Sequence, residues 1–245
     1  AVRDGDDYVL NGQKCWITNG GIADIYLISA KTDPDAGAHG ISTFLVEADR
    51  EGLSHGRHED KMGLRTSNTC DLTLNDVRVP ANHLVGEEGN GFRIAMSGLD
   101  ISRPFMATIA VGMMQRALDE AALYALQREQ FGRPIFEFQM VQDMLARMSA
   151  KVVACRCLVQ HTMKLVDEEQ DVQKDGAITK QFVTDMLQDV VSDAVQVMGG
   201  NGYTKEYPVE KIMRDAKVFQ IMEGTNQIQS IVIARRLKKE YSARL

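Results

Sequence analysis

Four short segments carry residue types that could do chemistry. The first, Cys15-Trp16-Ile17-Thr18-Asn19-Gly20, holds the only tryptophan of the chain next to a hydroxyl. An indole beside a hydroxyl can pack a planar ring and hydrogen-bond its edge. The same residues also read as a buried aromatic strand ending in an Asn-Gly turn. The second, Arg128-Glu129-Gln130-Phe131-Gly132-Arg133-Pro134, combines arginine with an aromatic. Guanidinium forks match phosphate oxygens, so it could hold a pyrophosphate and an adenine. Its structural reading is a basic helix end complementing the dipole, then a Gly/Pro loop. The third, Gln196-Val197-Met198-Gly199-Gly200-Asn201-Gly202-Tyr203, is dense in glycine. It follows a helical segment, not a strand, so it is not a dinucleotide fingerprint. Its glycines end a helix or let backbone approach a ligand closely.

The fourth segment is VFQIMEGTNQIQSIVIARRL, residues 218–237, where two apolar runs meet at Glu223-Gly224-Thr225. On local grounds Gly224 is the left-handed residue closing one helix, and Thr225 or Asn226 is the N-cap of the next. That accounts for the glycine and the cap but not for a carboxylate between apolar runs.

Composition narrows the classes. The chain has 245 residues, 44% of them hydrophobic and 25% charged, which suits one large or two modest domains with a sizeable core. A net charge of −6 argues against nucleic acid or an anionic membrane surface as partner. No apolar run reaches the roughly 18–20 residues a membrane span needs, and no secretory signal is expected. Cys155 and Cys157 sit two apart in a helical segment and point about 200° from each other, so they cannot chelate one metal. Buried, reduced thiols are expected. The histidines are scattered singly, and neither a GxSxG elbow nor a phosphate loop occurs. Metal catalysis, serine hydrolysis and nucleotide hydrolysis lose ground accordingly.

The elements that must position these segments change period part-way along. Residues 1–88 contain strand-sized runs (YVL, KCWIT, DIYLISA, GISTFLVE, CDLTL, DVRVP) separated by Gly, Asn and Asp turns, which predicts a small sheet or barrel. Asn11-Gly12 predicts a hairpin between YVL and KCWIT. Residues 89–245 follow helical spacing in three sets, one through Val111 to Ala125, one through Val141 to Val166, and one through Val183 to Val197. A fourth helix is expected from Thr225 to about Leu237. Pro104 should break or restart the first helix, leaving Asp100 and Arg103 at a bend. Asp175-Gly176 should separate the second helix from the third. The expected fold is α+β, a β-domain (1–88) followed by an antiparallel four-helix bundle (89–245).

Seven stretches in order, WITNG, EDKMGLRTS, DVRVP, GLDISRP, REQFGRPIFEFQ, QVMGGNGYTKEYPVEKIMRDAK and QIMEGTNQIQ, resemble the acyl-CoA dehydrogenase family. The resemblance extends over essentially the whole chain. It implies a middle β-domain and a C-terminal four-helix bundle, with FAD held between them and across a subunit interface. It makes Glu223 the base that removes the α-proton of a fatty acyl-CoA thioester, while flavin N5 takes the β-hydride to leave a trans-2-enoyl-CoA. An α-C–H is a poor acid, so such a base must be close and desolvated. The thioester oxygen would be polarised by the base's own N–H and a flavin ribityl hydroxyl. Gly224 would leave room for the thioester.

By the same resemblance Trp16, Ile17 and Thr18 pack on the isoalloxazine. Arg128, Phe131 and Gln139 receive the adenosine-pyrophosphate part from a neighbouring subunit. Gln196, Val197, Met198, Gly199 and Gly200 form another FAD-contacting stretch, and Thr225 with Gln227 a further one. Asp100, Arg103 and Arg235 meet the CoA or acyl-pantetheine portion. The implied partners are an acyl-CoA, an electron-transferring flavoprotein and further copies of the chain, as a tetramer or dimer. The compartment would be the cytoplasm of a bacterium or the mitochondrial matrix. Family members carry an additional N-terminal helical domain and a glycine-serine loop before the β-domain, and this chain starts after both. An oxidase or enoyl-CoA reductase on the same fold, or a non-catalytic fragment, are the alternatives.

Overall fold

Period-two alternation over Asp7–Leu10, and over Cys70–Leu74 and Val77–Val79 on either side of a phase shift, lies within the two longest strands, the twelve-residue segments Asp7–Thr18 and Thr69–Pro80. The computed structural model describes residues 1–245 and divides into two compact units, Ala1–Gly98 and Leu99–Leu245. The architecture is α+β, with five α-helices and antiparallel sheets.

In the first unit β1 (Val2–Asp4), β2 (Asp7–Thr18), β5 (Leu53–His55) and β6 (Thr69–Pro80) form a sheet in the order β1-β2-β6-β5. A separate ribbon pairs β3 (Ile25–Lys31) with β4 (Ile41–Glu47). Both contribute to one core, in which Tyr8 and Leu10 of β2 meet Ile28 of β3, Phe44 and Val46 of β4, and Val77 and Val79 of β6.

The expected hairpin at Asn11-Gly12 is absent. β2 runs straight through it, and the irregularity is taken up by a bulge between Leu10 and Gly12 opposite Val77 and Leu74. Asn11 and Asp76 tie that bulge together, with Asp76 N–H donating to Asn11 Oδ1 (2.8 Å) and Asn11 Nδ2 donating to Asp76 Oδ1 (2.9 Å). CDLTL and DVRVP are therefore one strand, β6, whose inward positions shift by one residue at the bulge. A turn signal and a bulge signal share the same residue types, and pairing with a long partner strand selected the bulge.

In the second unit the helices are α1 (Gly91–Gln127), whose first turns belong to the first unit, α2 (Gln139–Asp167), α3 (Gln173–Met198), α4 (Pro208–Ala216) and α5 (Asn226–Ser242). α3 is central, packing on α2, α4 and α5. Its buried face is Val183, Leu187, Val190 and Ala194, as the spacing predicts. α1 buries a row of small residues, Ala107, Ala110, Ala117, Ala121 and Ala125, around Met114.

Two expectations about breaks fail together. α1 does not break at Pro104, and Asp175-Gly176 lies inside the first turns of α3. Pro104 offers no N–H to the carbonyl of Asp100, and α3 approaches that carbonyl so closely that a Cβ on buried Gly176 would sit 3.1 Å from it. Gly176 is thus a close-packing residue, and the connection between α2 and α3 is residues 168–172. α4 was not foreseen; only nine residues long, it starts with Pro208 at its first turn.

The thiols also divide. Cys70 and Cys155 are buried, whereas Cys15 and Cys157 are exposed and all four are free, which corrects the expectation of buried thiols throughout. Burial pushes the Cys155 thiol up to about 11. No helix is long and apolar enough to cross a membrane.

Candidate active site around Glu223

Between α4 and α5 the chain passes through a short 3-10 turn, Lys217–Gln220, and then two consecutive left-handed residues, Glu223 (φ 57°) and Gly224 (φ 83°). Gly224 adopts the left-handed form its sequence suggested, and Thr225 is the N-cap of α5, accepting from Ile228 N–H at 3.3 Å. The left-handed glutamate was not anticipated. For a residue with a Cβ that conformation is disfavoured and persists only where neighbours enforce it.

The neighbours are specific. Gln229, fully buried on α5, donates from Nε2 to the carbonyls of Gly224 (2.9 Å) and Glu223 (3.3 Å). Lys180, fully buried on α3, donates from Nζ to the Gly224 carbonyl (2.9 Å) and to Asn226 Oδ1 (2.7 Å). Asn226 in turn donates to Asp185 Oδ1 (2.8 Å) and to Thr184 Oγ1 (2.9 Å). The half-buried carboxylate of Glu223 accepts from Ser102 Oγ on α1 at 2.6 Å. The backbone of the turn is thereby held by side chains from two helices, α3 and α5, while its carboxylate meets a hydroxyl on a third, α1. Such a group can accept a proton from a ligand with little reorientation.

Asp100 and Arg103 lie on the continuous helix α1, not at a bend. Arg103 is buried and pairs through Nη1 with Asp100 Oδ1 at 2.7 Å, and its Nε has no partner. Gln173 Nε2 reaches Asp100 Oδ2 at 3.4 Å, and Arg236 Nε donates to Gln173 Oε1 at 2.6 Å, extending the polar chain to α5. Arg235 and Gln227 are exposed on α5.

The Arg128 segment is not a plain loop. Glu129–Gln130 and Arg133–Pro134 form a minimal hairpin (β7 and β8) around left-handed Phe131 and Gly132. Phe131 is 93% exposed, an unusual state for a phenyl ring, and Arg128 and Gln139 are exposed as well. Arg133 instead stacks on Phe138, its Cζ 4.3 Å from the ring centroid. In the third segment Val197 and Met198 are turned into the core, leaving Gln196, the backbone of Gly199 and Gly200, Asn201 and Tyr203 exposed. Gly199 (φ 59°) closes α3.

In the first unit Trp16 occupies a second bulge of β2, where Lys14 and Ile17 oppose Leu72 and Cys70. It is left-handed (φ 61°) and 71% exposed, not the buried aromatic a strand would give, and Thr18 is exposed near it in sequence. The bulge turns the indole outward.

The acyl-CoA dehydrogenase C-terminal domain family model matches residues 89–238, and the middle-domain model matches residues 1–77. The chain belongs to the acyl-CoA dehydrogenase family. It is 48% identical over 238 residues to a probable acyl-CoA dehydrogenase, fadE25, of Mycobacterium leprae, covering 97% of this chain and 61% of that protein. The butyryl-CoA dehydrogenase structure from Megasphaera elsdenii superposes with a TM-score of 0.95 at 45% identity, over 96% of this chain and 62% of that one. A chain solved in work on the electron transferring flavoprotein of Acidaminococcus fermentans gives 0.95 at 47%, with the same shares covered. This chain thus spans about three-fifths of the length of the relatives it matches.

Members of the family are FAD-dependent, and each unit taken by itself carries groups that suit such a ligand: in the first an outward indole with a neighbouring hydroxyl, in the second an outward phenyl beside exposed arginines. Sequence reasoning missed Ser102, Lys180, Asn226 and Gln229. Lys180 had a legible signal: it falls on the same helical period as Val183 and Leu187, a cation at a core position.

Proposed function

We propose that this chain provides most of the active site of an FAD-dependent acyl-CoA dehydrogenase, converting a fatty acyl-CoA thioester to the trans-2-enoyl-CoA. The observation that carries the reading is the left-handed, half-buried Glu223, whose carboxylate is held at 2.6 Å by Ser102 while its backbone is fixed from α3 and α5. Glu223 takes the α-proton. FAD, when bound, supplies the acceptor for the β-hydride. The Glu223 N–H, to which the chain gives no acceptor, is the donor we assign to the thioester oxygen as negative charge develops there.

Trp16, Ile17 and Thr18 line the flavin ring, and Arg128, Phe131, Gln139, Gln196 to Gly200, Thr225 and Gln227 hold the rest of the dinucleotide. Asp100, Arg103, Gly224 and Arg235 serve the acyl-pantetheine side. The exposure of Phe131 and Arg128 supports a ligand or second copy covering them, hence a homo-oligomer, tetramer or dimer. We place the long helices in an antiparallel four-helix bundle and the strands in a barrel-like middle domain. A short-to-medium acyl chain fits the similarity to a butyryl-CoA dehydrogenase, and an electron-transferring flavoprotein fits as oxidant, given the Acidaminococcus relative.

The test is anaerobic absorption of the flavin band in the full-length protein before and after butyryl- or octanoyl-CoA, beside Glu223→Gln. Bleaching in the parent and not in the variant is expected. A variant that bleaches at the parental rate removes Glu223 as the base, and rapid oxygen consumption during turnover makes the enzyme an oxidase.

A further inference from the structure

We propose that Lys180 is a positioning residue for Glu223, its ammonium holding the left-handed turn through the Gly224 carbonyl and Asn226; the proposal rests on Glu223 being the base. Lys180 is fully buried, and both of its hydrogen-bond partners are neutral oxygens. A buried ammonium with no carboxylate bonded to it costs stability, and an apolar side chain of similar length would pack on α3 without that cost. What the ammonium does in return is local. It fixes the carbonyl that follows two consecutive positive-φ residues, at 57° and 83°.

Without it, the Gly224 carbonyl keeps only Gln229 Nε2, which is shared with the Glu223 carbonyl. Glu223 would then be free to relax toward the right-handed region, and its carboxylate would leave Ser102. Lys180 also secures Asn226, the first residue of α5, so turn and helix start are held by one group.

Three charged groups face the ammonium: Asp185 on α3, Arg103 on α1 and Glu223 itself. Burial is the main influence and brings Lys180 down to about 8; Asp185 opposes this, Arg103 adds to it, and Glu223 opposes it. A neutral amine forms weaker bonds than a charge-assisted donor, so the grip on the turn slackens just above neutral pH.

The experiment uses the full-length, flavin-loaded protein and Lys180→Met, compared first without substrate. Hydrogen exchange at the amides of residues 228–230, which bond to the cap and first turn of α5, should quicken by about tenfold in the variant while the rest of α3 and α5 stays protected. With acyl-CoA, kcat should fall about a hundredfold with little change in KM, as a displaced base predicts. The alkaline limb of the parental kcat profile should be absent in the variant. Unchanged exchange at 228–230, or an alkaline limb retained in the variant, overturns the proposal. Loss of the positioning effect is separable from a wrong base, because the exchange measurement needs no turnover. If Lys180→Met does not fold, exchange of the parent, corrected for intrinsic rates, is followed from about pH 7 to about pH 9.5. Extra loosening confined to the amides of residues 228–230 and centred near 8 supports the proposal, and a flat profile overturns it.

Discussion

Three functional candidates with a side chain lie in the left-handed region, Trp16, Phe131 and Glu223, and the chain treats Trp16 and Glu223 oppositely. Around Glu223 the second unit supplies every brace itself: Lys180, Gln229, Asn226 and Ser102. Around Trp16 the first unit supplies a bulge between paired strands and leaves the indole 71% exposed. A proton-accepting group must keep its direction between turnovers, so its conformation is fixed in advance. A stacking surface needs only to be presented, and its ligand completes the packing. The difference separates preorganisation by the protein from completion by a ligand.

Breaking the preorganised side should have the larger consequences. Glu223→Gln keeps an acceptor for Ser102 and should lower the rate of flavin reduction by about 10³–10⁴-fold, read by anaerobic stopped-flow absorbance. Asn226→Ala strips buried Lys180 of one acceptor and leaves half-buried Asp185 with Gln220 Nε2 as its donor. It should cost about 2–3 kcal/mol in denaturant unfolding, with the midpoint lowered and the slope unchanged. Gly224→Ala forces a Cβ onto φ 83° and within 2.8 Å of Gln229 Nε2, an amide already engaged by two carbonyls. A loss of about 1–2 kcal/mol is expected by the same measurement.

The ligand-completed side should respond the other way. Trp16→Gly relieves a positive φ in an exposed residue and should leave stability unchanged or raise it by up to about 1 kcal/mol. The same variant should weaken flavin retention by about tenfold in an apoprotein reconstitution titration. A Trp16→Gly protein that unfolds readily would place the indole among structural residues and erase the contrast.

A further effect concerns pH. Lys180 has its pKa lowered in the folded protein, from 10.5 to about 8, so the unfolded chain binds more protons between those values. Its burial penalty is fully present below about 8, and global stability from this group should rise as pH climbs from there toward 10.5, even as the turn it holds loosens. Thermal unfolding of the parent against Lys180→Met across that range should show the rise in the parent alone.

Periodicity and composition determined a good deal. The α+β class, the buried faces of α2 and α3, Thr225 as a cap and Gly224 as a left-handed residue follow from spacing and local stereochemistry, which neighbouring residues settle among themselves. Family membership followed from seven ordered motifs. Tertiary structure alone decided the rest. Asn11-Gly12 is a bulge because a twelve-residue partner strand was there to pair with, and Pro104 and Gly176 are tolerated inside helices because each fits the other's helix. The left-handed Glu223 and the buried Lys180 beneath it are likewise invisible locally. Each is unfavourable by itself, and only the pairing of residues 44 or more positions apart along the chain, Lys180 with Gly224 and Ser102 with Glu223, makes them stable together.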